Sequence, residues 1–195
     1  MLNFKKIILA SLLLPVTAFC SGVFSYDNLG YRTALGDINY ISVASGFSAF
    51  FNPDDSKSDS QLPLYLSLST GQRYRVQNRV FVGYEFLLSH LGYQKFDKGN
   101  GTVSDRVIEA GMLGTISLFF NPYIDTHVKM GVGYQNHSYN DLSMSGANGI
   151  LGIGAGIFVS SSSQINFDAT YFSGRNTKNS TQSFSSFALG YNYYF

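Results

Sequence analysis

The chain ends in Phe187-Ala188-Leu189-Gly190-Tyr191-Asn192-Tyr193-Tyr194-Phe195, and this stretch decides the fold. Large apolar residues occupy every second position up to the terminal phenylalanine, and most positions between them are small or polar. Successive side chains of a β-strand point to opposite faces. The pattern therefore predicts a final strand with one apolar face that ends on an aromatic residue.

The same period of two recurs in seven earlier segments, from Asn39 onward. The clearest lies between Leu62 and Ser69, where four leucines alternate with other residues that include Tyr65, Ser67 and Ser69. Helical spacing is not sustained anywhere after the first residues of the chain. Together with the last stretch, these segments predict an all-β fold of about eight antiparallel strands in an up-and-down meander.

The first 22 residues have the parts of a secretory signal peptide: a start with two lysines, an apolar run from Ile7 to Phe19, and then small residues. We predict a signal peptide over residues 1–20, cleaved after Cys20, and a cut after Gly22 also fits. A lipoprotein acylated at Cys20 would have a small residue in place of Phe19. The apolar run is shorter than the roughly 20 residues of a membrane-spanning helix, and no later run reaches that length.

The composition suits strands that face lipid on one side, with 13% charged residues, 16% aromatic residues and 20 glycines. Loss of Lys5 and Lys6 lowers the number of basic residues from 13 to 11, against 12 acidic ones. A nearly neutral chain argues against a nucleic-acid partner, which would require clustered positive charge.

The remaining chain of about 175 residues fits one domain. Residues 39–195 form the predicted barrel domain, and residues 21–38 form a periplasmic lead-in because the alternation there is poor. The alternative is that residues 23–37 form a strand, which would give ten strands or a shifted set of eight.

Long polar links alternate with short turns along the chain. The predicted long links are residues 52–61, 95–104, 137–147 and 174–182, and the predicted turns are residues 74–78, 121–122 and 160–163. A soluble sandwich would show the same alternation, with its apolar face turned inward. The link lengths and the signal peptide favour a closed transmembrane β-barrel in the outer membrane of a Gram-negative bacterium, with long loops outside and turns in the periplasm.

The C-terminal alternation resembles the β-signal that the barrel-assembly machinery recognises in outer-membrane barrels. Its residues are Phe187, Leu189, Tyr191, Tyr193 and Phe195. With Tyr123-Ile124-Asp125 and Gly131-Val132-Gly133-Tyr134 in a later strand, the chain from Asn39 to Phe195 resembles the OmpA-like and opacity-protein-like superfamily of small outer-membrane β-barrels. The resemblance implies assembly by that machinery and contact with outer-membrane lipid and lipopolysaccharide.

Because the chain has no tryptophan, tyrosine and phenylalanine must form any girdles at the membrane interfaces. The predicted periplasmic girdle is Phe119, Phe120, Tyr123, Tyr193 and Phe195. The predicted outer girdle is Phe50, Phe51, Tyr93, Tyr134 and Tyr171.

The ionisable residues of the strands fall on the face opposite the aliphatic one, which is the lumen of a barrel. They are Glu85, Glu109, Asp125, His127, Lys129 and Asp168. Eight strands enclose an interior that side chains just fill, so we predict a paired charge network that plugs the lumen. Lys129 is expected to bridge Glu109, Glu85 or both, with Arg79 at the periplasmic end. The alternative is an ion path in which Lys129 acts as a gate.

The sequence contains no convincing catalytic constellation. His137 precedes Ser138, but neighbouring strand residues point to opposite faces. The lipid A deacylase family has histidine and serine two positions apart on one strand face, and here Tyr139 stands two positions after His137. We therefore expect no enzymatic activity.

No metal or cofactor site is predicted either. Asp54, Asp55 and Asp59 match no calcium-loop template. Gly152-x-Gly154-x-Gly156 lacks the βαβ context of a phosphate-binding loop. These glycines are expected to let the sheet bend or to make room for large neighbours in the lumen.

The leading functional hypothesis is a structural or surface-interaction role, in which four polar extracellular loops contact lipopolysaccharide, host surfaces or other envelope components. A narrow pore with a charged lumen is the first alternative. A lipid A-modifying envelope enzyme is the second.

Overall fold

A computed structural model describes residues 38–51, 63–77, 79–97, 102–139, 142–174 and 183–195. The predicted signal peptide, the lead-in up to residue 37 and the aspartates near residue 55 lie outside these residues. Eight strands make up the fold: β1 (Ile38–Phe51), β2 (Leu64–Gln77), β3 (Val80–Asp97), β4 (Thr102–Asn121), β5 (Ile124–Tyr139), β6 (Leu142–Ser160), β7 (Ser163–Phe172) and β8 (Ser183–Tyr194).

Each strand pairs with the next in antiparallel register, and β1 pairs with β8 to close the barrel. At this seam Tyr40 lies opposite Tyr194, and Phe47 lies opposite Phe187. The predicted closed eight-strand meander is confirmed. Because β1 is paired on both edges, the barrel wall has no place for a further strand before it, so the alternative of ten strands is wrong.

Three short turns, at residues 78–79, 122–123 and 161–162, lie at one end of the barrel, here called the turn end. The other end, here called the loop end, carries the four remaining connections. Two predicted long links are largely strand, because β3 and β4 are joined by residues 98–101 alone and β5 and β6 by residues 140–141. Polar residues continue these two hairpins beyond the alternating segments, and loss of alternation was a wrong indicator of loop. The predicted turn at 74–78 is also mostly strand.

The outward face is an apolar belt to which every strand contributes. One large apolar side chain from each strand, exposed by 39 to 59%, illustrates the belt: Val43, Leu68, Leu88, Met112, Met130, Leu151, Phe167 and Leu189. Monomeric soluble proteins rarely expose apolar patches of more than a few hundred Å². The two faces are therefore those of a lipid-facing barrel, with the apolar side outward. Within the described residues no helix has the length and apolarity to span a membrane.

The predicted girdle at the turn end is partly wrong. Phe120, Tyr193 and Phe195 are exposed, but Phe119 is only 6% exposed. Phe119 belongs to a cluster of buried aromatic side chains, against which the half-buried Tyr123 also packs. Phe119 has the opposite parity to Phe120, so its side chain points into the lumen. At the loop end, Tyr134 and Tyr171 are exposed, and the side chains of Phe50, Phe51 and Tyr93 lie outside the described residues.

Candidate functional site: the filled lumen

Aromatic side chains close the lumen at the turn end. This aromatic plug consists of Tyr40, Phe81, Phe119, Phe158 and Tyr194. Its rings follow one another around the barrel, with centroids 4.9 Å apart for Phe81 and Phe119, 5.8 Å for Phe119 and Phe158, and 5.2 Å for Phe158 and Tyr194. Tyr40 completes the series 5.6 Å from Tyr194. Each residue lies near the turn end of its strand.

Arg73 covers the inner side of the plug. Its guanidinium lies 5.3 Å from the ring of Tyr40 and 5.5 Å from that of Tyr194, within the range of a cation–π contact. Its Nη1 donates to Oδ2 of Asp125 at 3.0 Å, and both side chains are almost fully buried. Arg79, the residue predicted for this end of the lumen, is exposed beside the first turn. Arg73 shares the parity of Tyr65, Ser67 and Ser69, and this signal could have identified it.

The central part of the lumen holds an ion-pair network around Lys129. Its ammonium group lies 3.1 Å from Glu85 Oε2 and 3.6 Å from Asp168 Oδ1. Tyr40 donates its hydroxyl to Glu85 at 2.6 Å, and His127 Nε2 donates to Asp168 at 2.7 Å. Residues on β1, β3, β5 and β7 are thus joined across the barrel. The charged groups inside the barrel thus form ion pairs and hydrogen bonds with one another.

Side-chain amides connect this network to the plug. Gln164 donates to Asp125 at 2.5 Å and accepts from the hydroxyl of Tyr194. Asn192 donates to Gln164 at 3.0 Å and accepts from Asn166 at 3.0 Å. These three amides are buried on β7 and β8 and were not among the predicted site residues.

Glycines on β6 give the network its space. A Cβ on Gly154 would collide with the hydrogen-bonded pair His127 and Asp168, and one on Gly156 would collide with Gln164 and Asp125. These positions are here called glycine notches. Of the two explanations that the sequence offered for these glycines, the notches correspond to room for large neighbours in the lumen.

Of the two carboxylates predicted as partners of Lys129, it contacts Glu85, whereas Glu109 lies apart from the network. In the pairing of β4 with β5, Lys129 is opposite Thr115, whereas Glu109 is opposite Gln135. The offset of six positions between Glu109 and Thr115 corresponds to roughly 20 Å along a strand. Glu109 is fully buried, and its Oε2 accepts a hydrogen bond from Asn148 at 3.2 Å.

An apolar layer closes the lumen toward the loop end. It contains Ala44, Tyr65, Leu87, Leu91, Val107, Leu113, Ile150, Phe172, Phe184 and Ala188. A cavity of about 20 Å³ is lined by residues of this layer, among them Leu113, and by Glu85 and Lys129 of the network. A space of this size holds about one water molecule. The charged network is thus enclosed between two layers that contain few polar atoms.

The five residues of the β-signal pattern lie on the outer face of β8 and at its end. Phe187, Leu189, Tyr193 and Phe195 are exposed, and the hydroxyl of the half-buried Tyr191 lies 2.8 Å from Ser163 Oγ. His137 and Ser138 point to different faces, and His137 Nε2 lies 3.0 Å from Gln135 Oε1. The described part of the chain has no group of three His, Cys, Asp or Glu side chains placed to hold a metal ion.

No family model matches the chain, and no curated protein matches it. Solved structures do. The attachment invasion locus protein Ail of Yersinia pestis, in complex with the heparin analogue sucrose octasulfate, superposes with a TM-score of 0.56 at 17% identity, over 82% of this chain and 99% of Ail.

Two further structures give similar values. Neisserial surface protein A (NspA) has a TM-score of 0.51 at 11% identity, over 82% of this chain and 97% of its own. The outer membrane enzyme PagL has a TM-score of 0.50 at 15% identity, over 79% and 98%. At these identities the comparisons establish the fold, that of small outer-membrane barrels. They include an enzyme, an attachment invasion locus protein and a surface protein, and so they do not assign an activity.

Proposed function

We propose that this protein is a closed outer-membrane barrel whose role is to anchor and display its loop-end connections at the cell surface. The observation that carries the proposal is the combination of an apolar belt, to which every strand contributes, with a lumen closed by the aromatic plug and by the apolar layer. The belt provides the membrane anchor. The filled lumen removes the continuous aqueous path that a porin needs, which argues against the narrow-pore alternative.

The barrel is expected to fractionate with the outer membrane and to be heat-modifiable, that is, to migrate differently on gels before and after boiling. In planar bilayers neither the wild type nor the Lys129→Ala variant is expected to conduct. The aromatic plug and the apolar layer remain in that variant, so loss of the charge alone leaves both closures in place. Stable single-step conductance from the wild type, altered in size by Lys129→Ala, would instead support the pore.

The proposed ligands of the displayed connections are lipopolysaccharide and anionic saccharides of the envelope or of a host surface. Ail was crystallised with such a compound, a heparin analogue. In this chain the connections carry basic residues that could contact sulfate or phosphate groups: Lys57, Lys98, Arg175 and Lys178.

Binding of sucrose octasulfate and of lipopolysaccharide to the refolded barrel tests this proposal. Replacing Lys98, Arg175 and Lys178 by serine should weaken binding. The matched control replaces the three aspartates between residues 54 and 59 by serine and should leave binding unchanged or strengthen it. If both variants bound these compounds as the wild type does, the proposed ligand class would be wrong. The proposed membrane anchor would be unaffected by this result.

The enzymatic alternative is tested by incubating the purified barrel with lipid A and analysing the lipid by mass spectrometry. Unchanged lipid A is the expected result. If lipid A lost an acyl chain in this assay, the protein would be an enzyme and the proposed display role would be wrong.

A further inference from the structure

A groove crosses the apolar belt on the outer wall of the barrel. Its volume is about 620 Å³, and pockets that hold small molecules measure about 300–1,000 Å³. Its lining residues lie on β5, β6, β7, β8 and β1, so it spans the seam between the last strand and the first. Most of these residues have the parity of the belt. The groove therefore opens to lipid and not to the lumen.

Small residues form the floor of this lipid-facing groove. Ala155, Ala169 and Ser45 occupy outward positions at which most of the belt carries large apolar side chains. Gly46 and Gly154 also line the groove. Because a glycine offers only backbone atoms, the groove reaches the backbone of the wall at these two positions.

Large apolar side chains stand beside the floor. Phe47 and Phe187 are paired across the seam, with ring centroids 5.5 Å apart, and Phe167 is 59% exposed. Of the outward-pointing lining residues that the structure describes, Ser45 and Thr126 alone carry a polar group, a hydroxyl, and none is charged. Such a surface is complementary to hydrocarbon.

The groove rises from the turn end of the barrel toward the middle of the belt. A line of paired residues that starts at Val80 passes through Thr126 and Ser45 and returns to β3 at His90, nearer the loop end. From Thr126 to Ser45 this line crosses four strand spacings, or about 19 Å. With strands tilted by about 35–45°, the rise along the membrane normal is about 12 Å, half of an apolar belt of about 25 Å.

These dimensions favour a chain from the inner leaflet, because the turn end faces the periplasm. Lipid chains are as apolar as the groove, so packing and not hydrophobicity decides what fills it. A groove left empty would lose dispersion contacts along its lining. A second copy related by a two-fold axis through the groove would place groove against groove and fill neither.

We propose that the groove binds one acyl chain of a phospholipid from the inner leaflet of the outer membrane. The chain enters at Thr126 and crosses the seam to Phe47, which joins the first and last strands by a bound lipid. The groove is continuous with the belt, the surface that already contacts hydrocarbon. The proposal rests on the membrane anchor proposed above and not on the ligands of the loop-end connections.

The test uses the full barrel in vesicles of phosphatidylethanolamine and phosphatidylglycerol. A phosphatidylethanolamine probe carries a photoreactive diazirine on one acyl chain, and mass spectrometry of the illuminated protein locates the label. The label should concentrate on peptides from β7, β8 and β1, with the belt on β3 and β4 as the background. A diazirine near the ester should label the Thr126 end, and one near the chain terminus should label the Phe47 end.

Three results would overturn the proposal. Equal labelling of all eight strands would show ordinary boundary lipid. The reverse order of the two probes would assign the groove to a chain from the outer leaflet. A dimeric barrel that excludes the label from the groove would assign it to a second copy. Absence of label from the whole belt would refute the membrane anchor as well.

Replacing both Ala155 and Ala169 by phenylalanine fills the floor and should reduce the label on the groove peptides to the background. The matched control Ala110→Phe places the same side chain on an outward, exposed position of β4 outside the groove, and it should keep the wild-type label. Heat-modifiability shows whether each variant is folded. A folded double variant with undiminished label would contradict the proposal, and if that variant does not fold, the order of the two probes on the wild type decides.

Discussion

Replacing Lys129 by methionine is expected to destabilise the barrel by about 3 kcal/mol, the lower end of the range for breaking a buried ion pair. The change removes the cation shared by Glu85 and Asp168, whose side chains are 3% and 14% exposed. Each carboxylate keeps one donor, from Tyr40 and from His127 respectively. The cavity of about 20 Å³ beside the site also admits about one water molecule. These remaining contacts favour the lower end of the range.

Urea unfolding in detergent, followed by far-ultraviolet circular dichroism because the chain lacks tryptophan, measures this cost. The double variant Glu85→Gln/Lys129→Met is the control, since it removes one of the two unpaired charges. It should be more stable than Lys129→Met alone by about 1 kcal/mol or more, a coupling typical of contacting residues. A single variant within about 0.5 kcal/mol of the wild type, or a double variant whose cost equals the sum of the two single ones, would refute the reasoning.

Three further changes test the wall, the lumen and assembly. Val132→Arg, in the middle of the apolar belt, should cost about 2–4 kcal/mol in lipid, against about 0–1 for Val76→Arg at the turn end; equal costs would argue against a membrane-embedded belt. Gly154→Ala should cost about 1–3 kcal/mol in urea unfolding because it fills a glycine notch. The control Gly114→Ala should be nearly neutral, because a Cβ there meets only one atom at 3.7 Å. A larger cost for Gly114→Ala than for Gly154→Ala would count against the notch. Deleting Phe195 should reduce the heat-modifiable, membrane-embedded fraction more than it reduces export, and unchanged assembly would show that the β-signal resemblance has no consequence here.

The alternation of side chains was sufficient to predict which charged residues enter the lumen. Glu85, Asp125, His127, Lys129 and Asp168 all lie there because each has the parity opposite to the apolar belt. The same rule would have placed Arg73 and Tyr194 inside. The prediction did not include Arg73, because the alternation considered on the second strand ends at Ser69 and a turn was predicted from residue 74. The prediction did not include Tyr194, because the β-signal pattern consists of the outward residues Tyr193 and Phe195 on either side of it.

The pairing within the lumen could not be predicted from parity. Lys129 on β5 meets Glu85 on β3 and Asp168 on β7, and none of these strands is adjacent to another. Such contacts depend on the diameter of the closed barrel and on the stagger between its strands, which are properties of all eight pairings together. The prediction that Lys129 would reach Glu109 used strand adjacency alone. It did not include the six-residue offset along β4.

This stagger also explains what the interior contacts add to the apolar belt. A slip of one residue between two strands would turn every side chain to the wrong face, so the belt opposes it strongly. A slip of two residues keeps each side chain on its own face, and the belt opposes it only weakly.

The contacts inside the barrel are sensitive to both kinds of slip. Moving β6 and β7 together by two residues past β5 would take Asp168 away from His127 and Gln164 away from Asp125, the groups with which they form hydrogen bonds. These polar contacts would be broken even though the wall remained apolar. The buried network thus selects among registers that the hydrophobic alternation treats alike.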